Sequence, residues 1–184
     1  MVVIAISGQA GSGKTTVARE VANILKLPMA SSGSIFRELA AKYGVDLLQF
    51  HKYAESHVEI DKMIDSMALE RAKNGDVVLE GHLTAWLVRP HADVCIYLKA
   101  EREVRARRIA IRDGRLFEEA VRDMDEREEL NRRRYLAIYG IDIRDLSIFD
   151  LVLDTSYLSI NDAVRITLDF VCTSLSFKYM KQIC

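Results

Sequence analysis

Short apolar runs alternate with longer amphipathic stretches along the chain. Each run is rich in β-branched residues and ends at glycine or at polar residues, which is typical of a buried parallel strand. Four runs are clear, at 2–7, 77–79, 94–98 and 151–153, and the short segment 29–32 is a candidate for a fifth. Strands that alternate with helices predict an α/β domain with a mainly parallel sheet.

The stretches between these strands have helical periodicity. Apolar residues recur at Val17, Val21 and Ile24 in the first stretch, and Pro28 follows its end. We predict helices over 15–27, 35–43, 47–55, 58–73 and 160–175, and a charged helical stretch over 101–140 that Asp113-Gly114 interrupts. Right-handed crossovers would place ligands beyond the carboxyl ends of the strands.

The composition predicts a single well-packed domain over residues 1–184. About half of the residues are apolar and only two are proline, which excludes wholesale disorder and collagen-like or disulfide-scaffold classes. The 26 Lys and Arg residues against 27 Asp and Glu residues give a net charge of −1. Near-neutrality argues against binding of nucleic acid or an anionic membrane through bulk charge.

Several signals are missing from the sequence. The N-terminal apolar run is too short for a signal peptide, and no apolar stretch approaches the roughly 20 residues that cross a bilayer. Cys95, Cys172 and Cys184 form no CxxC pair, so we expect reduced thiols and a cytoplasmic protein. The apolar residues of the tail, 176–184, are expected to pack on the core or on a partner subunit.

One segment carries a phosphate-binding motif. Residues 8–15 read GQAGSGKT and match GxxxxGK[ST] in full, directly after a predicted strand and before a predicted helix. Glycines let successive N–H groups turn inward, and the following helix adds its positive end. The motif predicts a nucleoside triphosphate site formed by Gly8, Gln9, Ala10, Gly11, Ser12, Gly13, Lys14, Thr15 and Thr16. Lys14 would reach the outer phosphates, and Thr15 would offer its hydroxyl to Mg²⁺.

Three classes of protein use this motif. A regulatory GTPase would need an NKxD element and a DxxG switch, and the sequence has neither after a strand. A motor ATPase usually has a strand that ends in Asp-Glu, whereas the second clear strand here ends in Glu80-Gly81. A small-molecule kinase instead needs several arginines and mobile covers that exclude water.

The arginines of the charged stretch favour the kinase. Arg105, Arg108, Arg112 and Arg115 follow at spacings of 3, 4 and 3, on one helical face or its extension. Guanidinium groups match phosphate oxygens well. Ten acids accompany eleven arginines between residues 101 and 134, so part of this set is expected to form surface ion pairs.

Blocks of sequence across residues 2–156 resemble the nucleoside monophosphate (NMP) kinases, and more narrowly the short archaeal-type cytidylate kinases. Besides the motif, they are SGSIFRELA at 32–40, VVLEGHL at 77–83 and RYLAIYGIDIRDLSIFDLVLDTS at 134–156. The resemblance implies an enzyme that uses ATP and Mg²⁺ to phosphorylate CMP or dCMP. We expect only these small-molecule substrates as partners, and a monomer. The resemblance also implies a P-loop NTPase-type three-layer fold with a five-stranded parallel sheet, an NMP-binding lobe over about 33–75 and a lid over about 108–127.

The resemblance also implies roles for particular residues. Gly33 and Arg37 match positions that approach the monophosphate, and Glu80 matches an acid near the metal that Thr15 would also bind. The cations that act on the transferring phosphate would be Lys14 of the motif and two arginines that match lid positions, Arg108 and Arg112. Arg127 is a further candidate for this role.

One position departs from the family's pattern. Where the family usually has Gly-Arg-Leu, this chain has Gly81-His82-Leu83, and His82 is expected to face the monophosphate without a bidentate contact. An adenylate or broad-specificity kinase stays open as an alternative, and so does a nucleotide-dependent binding module.

Overall fold

The computed structural model describes residues 1–179, which include one five-stranded parallel sheet in the order β2-β3-β1-β4-β5. The strands are β1 (Val3–Gly8), β2 (Met29–Ser31), β3 (Val77–Glu80), β4 (Val94–Lys99) and β5 (Leu151–Asp154). The predicted α/β class and the five-stranded parallel sheet are therefore confirmed, with the short segment near residue 30 as an edge strand.

Helices connect the strands on both faces of the sheet. They are α1 (Lys14–Leu25), α2 (Ser32–Lys42), α3 (Leu47–Glu55), α4 (Val58–Asn74), α5 (Thr84–Val88), α6 (Arg102–Asp113), α7 (Phe117–Tyr139) and α8 (Ile160–Tyr179). The charged stretch is two helices, because Gly114 adopts a left-handed conformation that ends α6. The sequence did not predict α5, since five residues are too few to show a helical period.

The central strand β1 is buried on both faces. Its alternate residues Ile4 and Ile6 pack in the cluster that includes Val17 of α1 and Val171 of α8. Val3 and Ala5 face the opposite cluster, which includes residues of α4 and α5. The period of two along β1 thus builds the three-layer core.

Two helical units pack outside this core. Helices α2, α3 and α4 enclose their own apolar cluster, with Phe36, Phe50 and Ile64 among its buried members. Helices α6 and α7 form an antiparallel hairpin with a separate cluster. These units lie where we placed the monophosphate lobe and the lid, whose bounds and roles stay predictions.

Two remaining observations concern the cysteines and the tail. Cys95 in β4 is a buried free thiol, as expected. Phe177 is 90% exposed and does not pack on the core, and residues 180–184 lie outside the described residues. Within residues 1–179, no helix is both long and apolar enough to span a membrane.

Candidate active site

The phosphate-binding loop (P-loop), residues 8–15, closely approaches the backbone of β4 and α6 at two of its glycines. A Cβ atom at Gly8 would lie 2.1 Å from the carbonyl oxygen of Leu98, and one at Gly11 would lie 2.6 Å from that of Arg105. Gly11 also has φ +76°, which disfavours any L-residue. Glycine is therefore required at these positions for the loop to follow this path.

Lys14, Thr15 and Glu80 meet at the carboxyl end of the sheet. Strands β1 and β3 are adjacent and in parallel register, with Ile6 opposite Glu80, so the loop after β1 lies beside Glu80. Lys14 Nζ lies 3.9 Å from Glu80 Oε1 and donates to the carbonyl oxygen of Gln9 at 3.3 Å. The Thr15 hydroxyl donates to Glu80 Oε2 at 3.2 Å, at the start of α1, where Thr16 follows.

The Glu80 carboxylate is 2% exposed and is held by a second hydroxyl. Ser31 Oγ, at the end of β2, donates to Glu80 Oε2 at 2.6 Å. A carboxylate beside a hydroxyl supplies the hard oxygen donors that Mg²⁺ prefers. The donor set of Thr15 and Glu80 therefore fits the Mg²⁺ that the phosphate-binding motif predicts.

Cationic groups are concentrated around Lys14. Burial is the main cause that lowers the pKa of Lys14, while the Glu80 charge opposes this shift and the Arg127 and Arg37 charges add to it. The Nε atom of Arg127 is buried and has no hydrogen-bond partner among residues 1–179. Buried donors without partners are rare, so Arg127 marks a place for an anionic acceptor.

The monophosphate candidates lie near the same cations. Ser31 caps α2 by accepting a hydrogen bond from the backbone N–H of Ser34, which places Gly33 in the first turn of that helix. Arg37 follows one turn later and donates to Ser34 Oγ at 3.2 Å. The Arg37 side chain lies close to Gly33, because a Cβ atom added to Gly33 would be 3.5 Å from Arg37 Nη1.

His82 lies near several cationic groups. Burial is the largest cause that holds the pKa of His82 well below its usual range, and charges on Lys14, Arg127 and Arg134 lower it further. The imidazole is therefore neutral at physiological pH and has one N–H to donate. The structure thus brings His82 together with Lys14 and Arg127.

The other two candidate arginines have protein partners. Arg108 donates from Nη1 to Thr155 Oγ1 at 3.0 Å and from Nη2 to Thr155 O at 2.8 Å, and Thr155 Oγ1 donates to Ser12 O at 2.9 Å. Arg108 is therefore linked to the P-loop through Thr155. Arg112 pairs with Asp113, with Nε 2.6 Å from Oδ1, yet its charge still lowers the pKa of Arg127.

Many of the remaining arginines form surface ion pairs, as part of the set was expected to do. These pairs join Arg102 to Asp125, Arg115 to Asp123, Arg132 to Glu129 and Arg133 to Glu55.

A buried polar cluster between the α2–α4 unit and α7 was missed by the sequence analysis. Arg134 Nε lies 2.7 Å from Asp61 Oδ2, and its guanidinium lies over the Phe36 ring at 5.5 Å from the centroid. His51 Nδ1 is buried and unpartnered within the described part of the chain, and burial lowers the pKa of His51 to about 2. The spacing of seven between Arg127 and Arg134 was the available signal, because it places both on one face of α7.

The parallel sheet, the P-loop and the converging lysine, carboxylate and arginine define a kinase of the P-loop class. A shikimate kinase from Acinetobacter baumannii, solved with shikimate, shares this fold at a TM-score of 0.61 and 21% identity, over 97% of this chain and 96% of that one.

Residues 3–157 match the profile of the cytidylate kinase-like family. A protein named cytidylate kinase from Pyrobaculum calidifontis is 77% identical over 184 residues, all of both chains. A second protein of that name, from Ignicoccus hospitalis, is 48% identical over 158 residues, 86% of this chain and 92% of the other. The chain therefore belongs to the cytidylate kinase-like family, as the resemblance implied.

Proposed function

We propose that this protein transfers the γ-phosphoryl group of ATP to CMP or dCMP, giving ADP and CDP or dCDP. Membership of the cytidylate kinase-like family supports the reaction. The single observation that supports this reaction at the site is the buried Nε of Arg127, which has no hydrogen-bond partner in the described part of the chain and belongs to a cluster of cations around Lys14. Such a cluster suits a group whose transfer spreads negative charge over three oxygens.

The P-loop would hold the phosphates of ATP. Its inward N–H groups and the N-terminus of α1 bind anions, and Lys14 is the one side-chain cation that the motif itself supplies. Mg²⁺, when bound by Thr15 and Glu80 together with phosphate oxygens, would neutralise charge on the phosphates. Arg108 would support the loop through Thr155 and Ser12.

The monophosphate would lie opposite, against Gly33, Arg37 and His82. Neutral His82 would donate one hydrogen bond, and Arg37 would supply a bidentate contact. A phosphate oxygen of CMP would attack the γ-phosphorus in line as its bond to the β-phosphate oxygen breaks, so that no phospho-enzyme forms. Lys14, Arg112 and Arg127 would stabilise the charge on the equatorial oxygens.

The two helical units outside the core would enclose these substrates. We assign the monophosphate lobe to about 33–75 and the lid to about 108–127, which brackets the Gly114 turn between α6 and α7. Closure of both would exclude water and prevent hydrolysis of ATP. A cytoplasmic location and a monomeric state stay predictions.

A coupled assay of ADP release across CMP, dCMP, UMP, AMP and GMP tests the proposal. We expect CMP and dCMP to give the highest kcat/KM. Faster turnover with AMP would instead identify an adenylate or broad-specificity kinase. Binding of ATP without ADP release from any acceptor would identify a nucleotide-dependent binding module.

A further inference from the structure

The P-loop residue Ala10 is enclosed by the α6–α7 hairpin. Ala10 is 4% exposed, and its methyl group belongs to the hairpin's own apolar cluster, with Ala106 and Ile109 of α6 and Met124 of α7. The nucleotide-binding loop therefore packs into the core of the hairpin instead of lying free above it.

Both backbone groups of Ala10 are bonded by side chains of this hairpin. Its N–H donates to Glu128 Oε1 at 3.2 Å, and its carbonyl oxygen accepts from Arg105 Nη1 at 3.2 Å. Arg105 and Glu128 also bond each other, with Nη1 2.6 Å from Oε1. Arg105 is anchored in turn, because its Nε donates to the carbonyl oxygen of Ala100 at 3.0 Å.

These bonds act on a loop that is rich in glycine. Three glycines in the P-loop have wide conformational freedom, and ordering them on ATP binding would cost conformational entropy. Gly11 directly follows Ala10 and takes its left-handed conformation where the loop meets the backbone of Arg105. Fixing the N–H and the carbonyl group of Ala10 therefore restrains the chain directly before Gly11, where the N–H groups that would bind phosphate begin.

We propose that Arg105 and Glu128 are positioning residues that hold the P-loop in its ATP-binding shape and tie the α6–α7 hairpin to it. Glu128 directly follows Arg127 on α7, so its bond to the Ala10 N–H also restrains the part of α7 that carries Arg127. The inference rests on the proposed function only in taking ATP as the ligand of the P-loop. A preorganised loop binds its ligand more tightly because less ordering remains to be done.

Separate binding measurements test this role. In Glu128→Ala we expect the Kd for ATP with Mg²⁺, measured by calorimetry, to rise about tenfold, and the Kd for CMP to stay within about twofold. Glu128→Gln keeps an oxygen that accepts from the Ala10 N–H, so we expect it to recover most of the ATP affinity. If the Arg105–Glu128 pair served only to join α6 to α7, Glu128→Ala would lower the unfolding temperature without changing the ratio of the two Kd values.

Glu129→Ala is the matched control. Glu129 is the next residue on α7, is exposed, and pairs with Arg132 and Arg133, so both Kd values should equal those of the wild type. If Glu128→Ala does not fold, Arg105→Lys provides the same test, because lysine keeps the charge but cannot bond Ala100, Ala10 and Glu128 together.

An unchanged Kd for ATP in Glu128→Ala, or in Arg105→Lys where Glu128→Ala does not fold, would overturn the inference, as would equal losses for ATP and CMP in that variant. A wild-type protein that binds both nucleotides but forms no CDP would contradict the proposed function alone, since the comparison of Kd values needs no turnover.

Discussion

The hydroxyl of Thr15 donates a hydrogen bond to the carboxylate of Glu80, with Oγ1 3.2 Å from Oε2. The bond joins the first turn of α1 to the end of β3, two elements that lie 65 residues apart in the chain. Ser31 donates to the same oxygen, so two hydroxyls orient one buried carboxylate beside Lys14. These two hydrogen bonds therefore fix the orientation of the Glu80 carboxylate, and its negative charge lies next to the P-loop.

Glu80→Gln tests whether that charge serves the metal. The amide is nearly isosteric and still accepts from a hydroxyl, but it binds Mg²⁺ weakly. We expect kcat to fall about 100-fold and the Mg²⁺ concentration for half-maximal rate to rise, since a metal contributes several kcal/mol to transition-state stability. Ser31→Ala is the control for orientation alone and should have a smaller effect. An unchanged Mg²⁺ titration in Glu80→Gln would contradict the role.

His82→Arg tests the departure from the family's pattern. A guanidinium at this position would add a bidentate, charge-assisted contact to the dianionic monophosphate. We expect the KM for CMP to fall about tenfold, in line with an added contact of roughly 1.5 kcal/mol. Nearby Lys14, Arg127 and Arg134 should make the substrate-free variant less stable, because like charges then meet without an anion.

The matched control for this change is His91→Arg, an exposed position at which KM should not change. The KM for ATP serves as an internal reference within each variant. A KM for CMP that stays equal or increases in His82→Arg would show that residue 82 does not face the monophosphate.

Asp65→Asn tests whether burial of the ionised Asp65 carboxylate lowers the stability of the folded protein. Burial raises the pKa of Asp65 to about 6 from its ordinary 3.8, so the folded state disfavours the ionised carboxylate. This cost is fully present above pH 6 and disappears as the pH falls through 6 towards 3.8. The variant should therefore be more stable than the wild type at pH 8, by roughly 1–2 kcal/mol, and equal to it near pH 4.

Guanidinium unfolding at several pH values measures this difference. The Tyr139 hydroxyl donates to Asp65 Oδ2 at 2.6 Å, and the amide oxygen of asparagine can accept the same bond. Glu59→Gln, at an exposed position of the same helix, is the control and should not change stability with this pH dependence. A stability difference for Asp65→Asn that is constant between pH 4 and pH 8 would be inconsistent with this account.

The parts of the fold that the sequence predicts are those with a local signal. Strand β1 and the P-loop follow from a contiguous apolar run and an eight-residue motif. Gly114 marks the break between α6 and α7 because its conformation is a property of one residue. The short helix α5 has no such signal, and its place is determined by packing against the sheet.

The arginines show where sequence reasoning ends. Arg105 and Arg127 are both helical residues with acidic neighbours, yet Arg105 bonds the P-loop backbone while Arg127 Nε is buried without a partner among residues 1–179. Which arginine is paired depends on how the hairpin rests on the P-loop, and that contact joins segments about 95 residues apart. Spacing on a helix predicts a shared face, but it does not predict what that face meets.

The transfer itself is tested most directly by following both products with ³¹P NMR after ATP, Mg²⁺ and CMP are mixed with the protein. We predict equal amounts of ADP and CDP, a rate lower by about 10²–10³-fold or more in Lys14→Ala, and a wild-type rate in the control Lys73→Ala. Circular dichroism would verify that Lys14→Ala is folded. ADP that accumulates with inorganic phosphate and no CDP, or a wild-type rate in Lys14→Ala, would contradict the proposed phosphoryl transfer.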